Sequence, residues 1–212
     1  VERTAFVVAS EAVDTAAQSN STRVGIRVFR NNDQLIVEVE GSDAEIDDML
    51  GRIVTIAEPF RPKTIKVSQS EAESAAIWKG RKSAFGATGR VADYICMDGT
   101  IPTGQLPYVL NRIDEIVKSY GLGVANVFHA GDGNLHPLVM FNTNVPGEME
   151  KAEKAGEDIL RLCVEVGGCL TGEHGVGIEK RDLMTCQFNA ADLAQQMRVR
   201  PLPPGVVVPG LG

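Results

Sequence analysis

Two strongly amphipathic helices constrain the fold of this chain more than any other feature of its sequence. After Pro102, apolar side chains recur at the spacing of one helical face, namely Val109, Ile113, Ile116, Val117 and Tyr120. A second helix is predicted over residues 148–166 and is ended by Gly167 and Gly168. Strands are predicted between these helices at residues 123–128 and 138–141. Two strands therefore follow each other between the two helices.

The other half of the chain adds strands that follow one another directly. Residues 25–29 and 34–40 are predicted strands joined by a turn, since β-branched and polar side chains alternate in the second of them. Ser42 and Glu45 predict a helix that begins with a capping box. Further elements are predicted as strands at 64–67, 91–97 and 169–171, and as helices at 70–85 and from Asn189 onward. Neighbouring strands mixed with single helices predict the α+β class with a largely antiparallel sheet.

Composition excludes several classes of protein. The 212 residues carry a formal net charge of −7, which argues against nucleic-acid binding because that function needs a basic patch. No apolar run approaches the ~20 residues that a membrane span requires. The four cysteines form no Cys-x-x-Cys pair. We therefore expect reduced thiols in a cytoplasmic protein that neither binds nucleic acid nor spans a membrane.

All three histidines of the chain lie in two glycine-rich loops that follow predicted strands. His129 and His136 flank one loop, and His174 follows Glu173 in the other. Catalytic and metal-binding groups are commonly held on such loops. Side chains seven positions apart on a straight strand point to opposite faces, so His129 and His136 can converge only if the chain turns between them. Gly131-Asp-Gly-Asn134 supplies residues that favour a turn.

This pattern predicts a divalent-metal site. Imidazole nitrogens and carboxylate oxygens are ligands for borderline cations such as Zn²⁺, and Glu173 is the natural third ligand beside His129 and His136. Three protein ligands leave a position for substrate, as in catalytic sites. Asp132 either orients a ligand histidine or makes an Asx turn. The competing interpretation is that the two histidines only bond to the loop backbone.

Two further residues are candidates for chemistry. His174 neighbours the third ligand, and a histidine with a near-neutral pKa is the usual general base; the alternative is that it only packs the loop. Arg81 lies on a predicted helix one turn from Trp78, where it is a solvated residue or an ion-pair partner unless a substrate carboxylate binds it. Asp98 ends a strand and is taken as structural.

Four segments of the chain resemble a known family. They are residues 78–85 (Trp-Lys-Gly-Arg-Lys-Ser-Ala-Phe), 96–102 (Cys-Met-Asp-Gly-Thr-Ile-Pro), 129–136 (His-Ala-Gly-Asp-Gly-Asn-Leu-His) and 172–181 (Gly-Glu-His-Gly-Val-Gly-Ile-Glu-Lys-Arg). Together they resemble the C-terminal domain of FAD-linked oxidases of the vanillyl-alcohol oxidase type, in particular those that dehydrogenate glycolate or D-lactate. The combination of His-x-Gly-Asp-Gly-Asn-x-His with Gly-Glu-His-Gly is specific.

The resemblance implies a structure and a role for each matching residue. It implies a substrate-binding cap domain whose antiparallel sheet is ferredoxin-like and covers a flavin. It implies that His129, His136 and Glu173 bind a divalent metal (Zn, Mn or Fe), that His174 is the catalytic base, and that Arg81 binds the substrate carboxylate. The implied reaction oxidises a 2-hydroxyacid to a 2-oxoacid, with hydride transfer to FAD.

The chain also departs from the family in two respects. The FAD-binding domain is expected to lie outside this chain, and residues 1–200 are expected to form only the substrate and metal domain, which needs an FAD-binding domain or subunit as its partner. An exposed apolar face is expected where that partner docks, and the same face is available for a homodimer. Residues 201–212 hold four of the ten prolines and are expected to be a disordered or non-native tail, produced by a frameshift or a truncated gene.

The substrate is expected to be a short monocarboxylate such as glycolate or lactate. In this resemblance, relatives that take a diacid carry polar groups at the positions of Phe85 and Leu138, which are apolar here. Two other functions fit the same residues. One is a metal-dependent hydrolase that activates water with the two histidines and the glutamate. The other is a non-catalytic domain that serves only as an interaction surface.

Overall fold

The structure is a computed structural model that describes the backbone of residues 22–30 and 33–196. Side chains are described for residues 35–195, apart from Arg81. The expected domain limits at residues 1 and 200 and the predicted tail at 201–212 therefore lie outside the described residues. Among those that are described, no helix has both the length and the hydropathy needed to cross a membrane.

The first sheet has three antiparallel strands. Strand β1 (Thr22–Arg30) pairs with β2 (Asp33–Gly41) on one side and with β3 (Thr64–Val67) on the other. Helix α1 (Asp43–Ala57) packs on this sheet through the buried side chains of Ile46, Ile53 and Ala57. The backbone N–H and the hydroxyl of Ser42 both donate to the Glu45 carboxylate, so the predicted start of this helix is confirmed.

Two helices connect the first sheet to the second. Residues 70–85 were expected to form one helix, but α2 (Glu71–Lys82) and α3 (Ala84–Thr88) are separate. The break falls at Ser83, whose hydroxyl donates to the Lys79 carbonyl oxygen. A serine hydroxyl that bonds back to the preceding turn competes with the helical backbone pattern, which favours a break at this position.

The second sheet has strand β7 (Asn134–Phe141) at its centre. Strand β6 (Gly123–His129) pairs along one edge of β7, and β4 (Asp93–Cys96) and β5 (Gly99–Thr100) follow each other along the opposite edge. Every pairing is antiparallel. The predicted α+β class with a largely antiparallel sheet is thus confirmed, with the strands divided between two sheets.

One face of the second sheet carries the main core. Helices α4 (Leu106–Ser119) and α5 (Glu148–Glu165) pack against it. The predicted stripe of α4 is buried there, since Val109, Ile113 and Val117 are fully inaccessible and contact the cluster that contains Leu135 and Val139. Amphipathic helices are stabilised mainly by such burial, which explains why the apolar face of each helix predicted α4 and α5 correctly.

The opposite face of the same sheet carries His129 and His136 together with both polar and apolar neighbours. Alternate residues of a strand point to opposite faces, so the side chains that alternate with Leu135 and Val139 on β7 point away from the helices. These are Asn134, His136 and Leu138, and the register places Cys96, Val127 and His129 beside them. All seven residues from Gly133 to Val139 are buried. Both faces of this strand are therefore covered.

The chain after α5 forms less regular structure than expected. The predicted strand at 169–171 is wrong, because only Cys169 forms a bridge, with Thr100. Beyond it the backbone N–H groups of residues 172–174 bond to a carboxylate instead of to a strand. Short helices α6 (Met184–Gln187) and α7 (Ala190–Gln196) follow. The Asn189 side chain accepts the N–H groups of Ala191 and Asp192, which confirms the predicted start of the last helix.

Replacement of Ile113 tests the core between α4 and the sheet. Ile113→Ala is expected to lower the free energy of unfolding by about 2–5 kcal/mol, because it leaves a cavity in a fully buried cluster. Urea unfolding followed by circular dichroism measures the change. Ile178→Ala removes the same atoms from a side chain that is 83% exposed and should change stability by less than about 0.5 kcal/mol. Equal losses in the two variants would contradict this packing.

Candidate functional site

The β6–β7 hairpin brings His129 and His136 together. His129 is the last residue of β6, and residues 130–133 form the turn to β7. In the hairpin register His129 pairs with Asn134 and His136 pairs with Val127, so the two histidines are diagonal neighbours on one face. Their ring centroids are 5.4 Å apart. The turn-forming residues between them thus produce the convergence that the sequence predicts.

Gly133 makes this turn possible. Its φ is +70°, a conformation that side chains with a Cβ rarely adopt. A Cβ at this position would also lie 2.1 Å from the carbonyl oxygen of Ile101. The Gly133 carbonyl in turn accepts the Ile101 N–H at 2.9 Å. The turn is therefore held against the segment that follows β5.

Glu173 completes a set of three potential metal ligands. Its Oε1 lies 2.8 Å from His136 Nε2 and 3.8 Å from His129 Nε2. One ligand atom from each of the three residues lies within 4.8 Å of the other two. Two imidazole nitrogens and one carboxylate oxygen at this spacing fit a divalent cation such as Zn²⁺. Both loops predicted to supply ligands therefore meet at one place.

His136 is the buried member of this set, with 2% of its side chain exposed. Burial lowers the pKa of the His136 imidazole, although the nearby Glu173 and Asp98 carboxylates act in the opposite direction. A histidine must be neutral to bind a metal, so this environment favours the binding form. His136 Nδ1 has no hydrogen-bond partner among the described residues and lies 4.0 Å from Asp98 Oδ1.

Asp98 holds the loop that carries Glu173 and His174. Its fully buried carboxylate accepts hydrogen bonds from the Thr171 hydroxyl at 2.7 Å and from the backbone N–H groups of Gly172 at 2.9 Å, Glu173 at 3.1 Å and His174 at 2.9 Å. Burial alone would raise the pKa of the Asp98 carboxyl, but these hydrogen bonds outweigh it and hold that pKa well below its usual range. Asp98 is therefore ionised.

Lys180 supplies the opposite charge inside the protein. Its side chain is only 7% exposed, and its Nζ lies 3.4 Å from Asp98 Oδ2 and donates to the Asp98 backbone carbonyl at 2.8 Å. A buried charge is tolerated when it is paired and hydrogen-bonded. The Lys180 ammonium thus helps to keep the Asp98 carboxylate ionised, and it joins the chain after the loop to the end of β4.

His174 lies against His136 of strand β7. The imidazoles of His174 and His136 stack with centroids 5.1 Å apart, and His174 is exposed. Cys96, His136 and His174 also form a second group with ligand spacing. Burial, with the Asp98 charge, raises the pKa of the Cys96 thiol to about 11. Because metals bind the thiolate form, the group with His129 and Glu173 is the better cation site at neutral pH.

Of the remaining candidates, Phe85 lies near the histidines and Leu138 lies on the same strand face as His136. The Phe85 ring lies 6.2 Å from the His136 ring, and the fully buried Leu138 is on the same face of β7. Arg81 belongs to α2, four residues before Phe85, and the position of its side chain is not among those described. Binding of a carboxylate by Arg81 therefore stays a prediction.

Of the two interpretations of Asp132, the orienting role finds no support in its contacts. Asp132 is exposed in the turn, and its side chain makes no hydrogen bond to the described part of the chain, whereas Asp98 faces His136 and holds the second loop. The sequence analysis took Asp98 only as a structural residue and did not indicate its pairing with Lys180. This pairing depends on strand register and joins residues that are 82 positions apart in sequence. The Cys96–Pro102 segment of the resemblance was the one available signal for Asp98.

Comparison with known proteins identifies the family of the chain. The model of the family described as FAD linked oxidases, C-terminal domain, matches residues 13–202. This match covers most of the chain and confirms the predicted family. The chain therefore belongs to the C-terminal domain family of FAD-linked oxidases.

Curated relatives carry the names of hydroxyacid-oxidising enzymes. The chain is 45% identical to the glycolate oxidase subunit GlcD of Escherichia coli strain K12, over 83% of this chain and 36% of that protein. It is 32% identical to the GlcD subunit of Bacillus subtilis strain 168, over 68% of this chain and 31% of that protein. It is 30% identical to a mitochondrial D-lactate dehydrogenase [cytochrome] of Kluyveromyces lactis, over 68% of this chain and 26% of that protein. The chain thus spans about a third of its relatives' length.

Protonation of His136 is expected to destabilise the metal-free chain in mildly acidic solution. Because the folded-state pKa of His136 lies below the ordinary value of about 6.5, the unfolded chain binds more protons than the folded chain just below that pH. Stability therefore falls as the pH decreases through this window. Urea unfolding at about pH 7.5 and about pH 5.5 measures the loss.

The matched control for this experiment is His136→Gln, which removes the titrating group and keeps a polar side chain. Its stability should fall less than that of the unaltered chain over the same pH interval. An equal fall in both proteins would contradict the lowered pKa of His136.

Proposed function

We propose that this chain is the substrate- and metal-binding domain of an FAD-dependent dehydrogenase that oxidises a 2-hydroxyacid, of the glycolate or D-lactate type, to a 2-oxoacid. The observation that carries the proposal is the meeting of His129, His136 and Glu173 beside His174 on one face of a sheet. The family of the chain and the names of its relatives support the same class of reaction.

The flavin belongs to another part of the enzyme in this proposal. The His/His/Glu set suits a cation, and the family is the C-terminal domain of FAD-linked oxidases, so FAD is expected to be held by a separate domain or subunit. Ile178, 83% exposed on the loop beyond His174, is available for contact with it. When bound there, FAD supplies the acceptor for the substrate hydride.

The metal ligands prepare the substrate for oxidation. When bound by His129, His136 and Glu173, a divalent metal (Zn, Mn or Fe) supplies a Lewis acid that lowers the pKa of the substrate hydroxyl. The chain contributes a neutral imidazole at His136, held so by burial, and a carboxylate at Glu173. Three protein ligands leave room for the substrate's hydroxyl and carboxylate oxygens.

His174 is the proposed base. It is exposed and stacks on His136 next to the ligand set, so one of its ring nitrogens can accept the proton of the substrate hydroxyl while the hydride leaves the α-carbon for FAD. One proton and one hydride leave the 2-hydroxyacid, which becomes the 2-oxoacid. Arg81 is proposed to bind the substrate carboxylate and so set its orientation.

The apolar walls favour a short substrate. Phe85 and Leu138 offer no hydrogen bond to a second carboxylate, and burial of an unpaired charge against them would be costly. Glycolate or lactate leaves only a hydrogen or a methyl group to be accommodated. The apolar character of these two positions therefore supports a monocarboxylate.

Metal analysis of the purified chain tests the proposed site directly. The unaltered chain is expected to bind about one divalent cation per molecule, and His129→Ala and Glu173→Ala should each weaken Zn²⁺ binding at least 10-fold, because each loses a ligand. Isothermal titration calorimetry measures the affinities. Retention of full affinity in both variants would refute the site.

His174→Ala is the informative companion variant. Because His174 is proposed as a base, its removal should leave Zn²⁺ affinity within about threefold of the unaltered chain, whereas loss of a ligand should not. A 10-fold loss would make His174 a ligand instead.

Chelator-sensitive esterase or amidase activity of the chain without flavin would favour the hydrolase alternative, and absence of Zn²⁺ binding in the unaltered chain would favour the interaction domain.

Substrate size can be tested on the same metal-loaded chain. Glycolate or D-lactate is expected to bind about 10-fold more tightly than a 2-hydroxy diacid, which corresponds to ~1.4 kcal/mol for the poorly accommodated second carboxylate. Calorimetric titration of both classes of acid measures this ratio. Tighter binding of the diacid would contradict the apolar wall of Phe85 and Leu138.

A further inference from the structure

We infer that Asp98 is the positioning residue of this site, and that its carboxylate sets the distance between the loop with Glu173 and His174 and the strand with His136. The inference rests on the metal site of the proposed function. It goes beyond that site, because Asp98 is assigned no contact with metal, substrate or flavin. Its effect is exerted through the residues that are proposed to make those contacts.

The first support is the number of groups that one carboxylate holds. The backbone N–H groups of three consecutive residues, 172–174, all point at the Asp98 carboxylate, and the Thr171 hydroxyl joins them. Successive N–H groups that converge in this way form a concave anion site. Because Glu173 and His174 are two of the three residues, the backbone at the proposed ligand and at the proposed base is fixed by the same anion.

The second support is the position of Asp98 on the sheet. Cys96 pairs with Leu138 and Gly99 with Leu135, so Asp98 lies at the level of His136 on the neighbouring strand. Its Oδ1 is 4.0 Å from His136 Nδ1, for which the described part of the chain offers no hydrogen-bond partner. Metal-binding histidines usually donate their second N–H to a carboxylate, which orients the ring. Asp98 is therefore placed to orient His136 as well as the loop.

The third support is that the loop has no regular secondary structure that could hold it in place of the Asp98 carboxylate. The loop follows a single bridge at Cys169 and forms no strand, so the N–H groups of residues 172–174 have no ladder to bond to. Lys180 balances the charge of Asp98 from the other side. An asparagine at position 98 would leave Lys180 unpaired and would present an NH₂ group where an oxygen now accepts. The loop would then lose its fixed position even in a folded chain.

Asp98→Asn in the full chain tests the inference, with Zn²⁺ alone as the probe. Its affinity for Zn²⁺ should fall about 10- to 100-fold, the usual cost of losing a residue that orients metal ligands. Calorimetry is performed where circular dichroism shows the variant to be folded, so that lost stability by itself does not change the result. A folded Asp98→Asn variant with unaltered Zn²⁺ affinity would overturn the inference.

Asp93→Asn is the matched control. Asp93 also uses its carboxylate to hold a loop, accepting the N–H and the hydroxyl of Thr143, but it is exposed and lies at the far end of β4. Its Zn²⁺ affinity should equal that of the unaltered chain. A loss equal to that of Asp98→Asn would show general loosening and overturn the assignment to Asp98.

Thr171→Val decides the question if Asp98→Asn does not fold. This variant removes one hydrogen bond to Asp98 and no charge, and its Zn²⁺ affinity is expected to fall about threefold or more, because one of the bonds that position the loop is lost. Unchanged affinity in a folded Thr171→Val variant would then overturn the inference. An unaltered chain that binds no Zn²⁺ refutes the metal site itself, whereas normal binding in the Asp98 and Thr171 variants refutes only the positioning role.

Discussion

The antiparallel pairing of β7 with its neighbours is the constraint on which the rest of the molecule depends. Successive side chains of β7 alternate between a helix-covered core and a polar face, so Leu135 and Val139 pack under α4 and α5 while His136 points to the other side. A slip of one residue in this register would exchange the two faces. The burial of the core therefore also determines where His136 lies, and stability and site geometry share one origin.

The face of this sheet that carries the histidines must also be covered, and Phe85 of helix α3 lies beside His136 there. The loop of residues 171–174 covers the face as well, and its backbone N–H groups find their acceptor in the buried Asp98 carboxylate. A buried carboxylate stabilises a fold only when its oxygens and its charge are matched, and the loop together with Lys180 supplies both. The electrostatic requirement of one aspartate thus shapes the segment that carries Glu173 and His174.

Local patterns predicted much of the structure because the forces behind them act over a few residues. The stripe of α4, the Ser42–Glu45 cap and the Asn189 cap all follow from helical spacing and nearby hydrogen bonds. His129 and His136 were predicted to converge for the same reason, since a short turn joins them. The strand expected at 169–171 was wrong because its β-like composition says nothing about whether a partner edge is available.

The sequence by itself determined most of the elements, the turn between the two histidines, and the identity of residues able to bind a cation or accept a proton. Only the tertiary structure decided that Glu173 meets those histidines, that Asp98 rather than Asp132 lies beside His136, and that a buried Lys180 pairs with it. These contacts join segments that are distant along the chain. They depend on strand register and on the matching of buried charges, and neither leaves a periodic signal in the sequence.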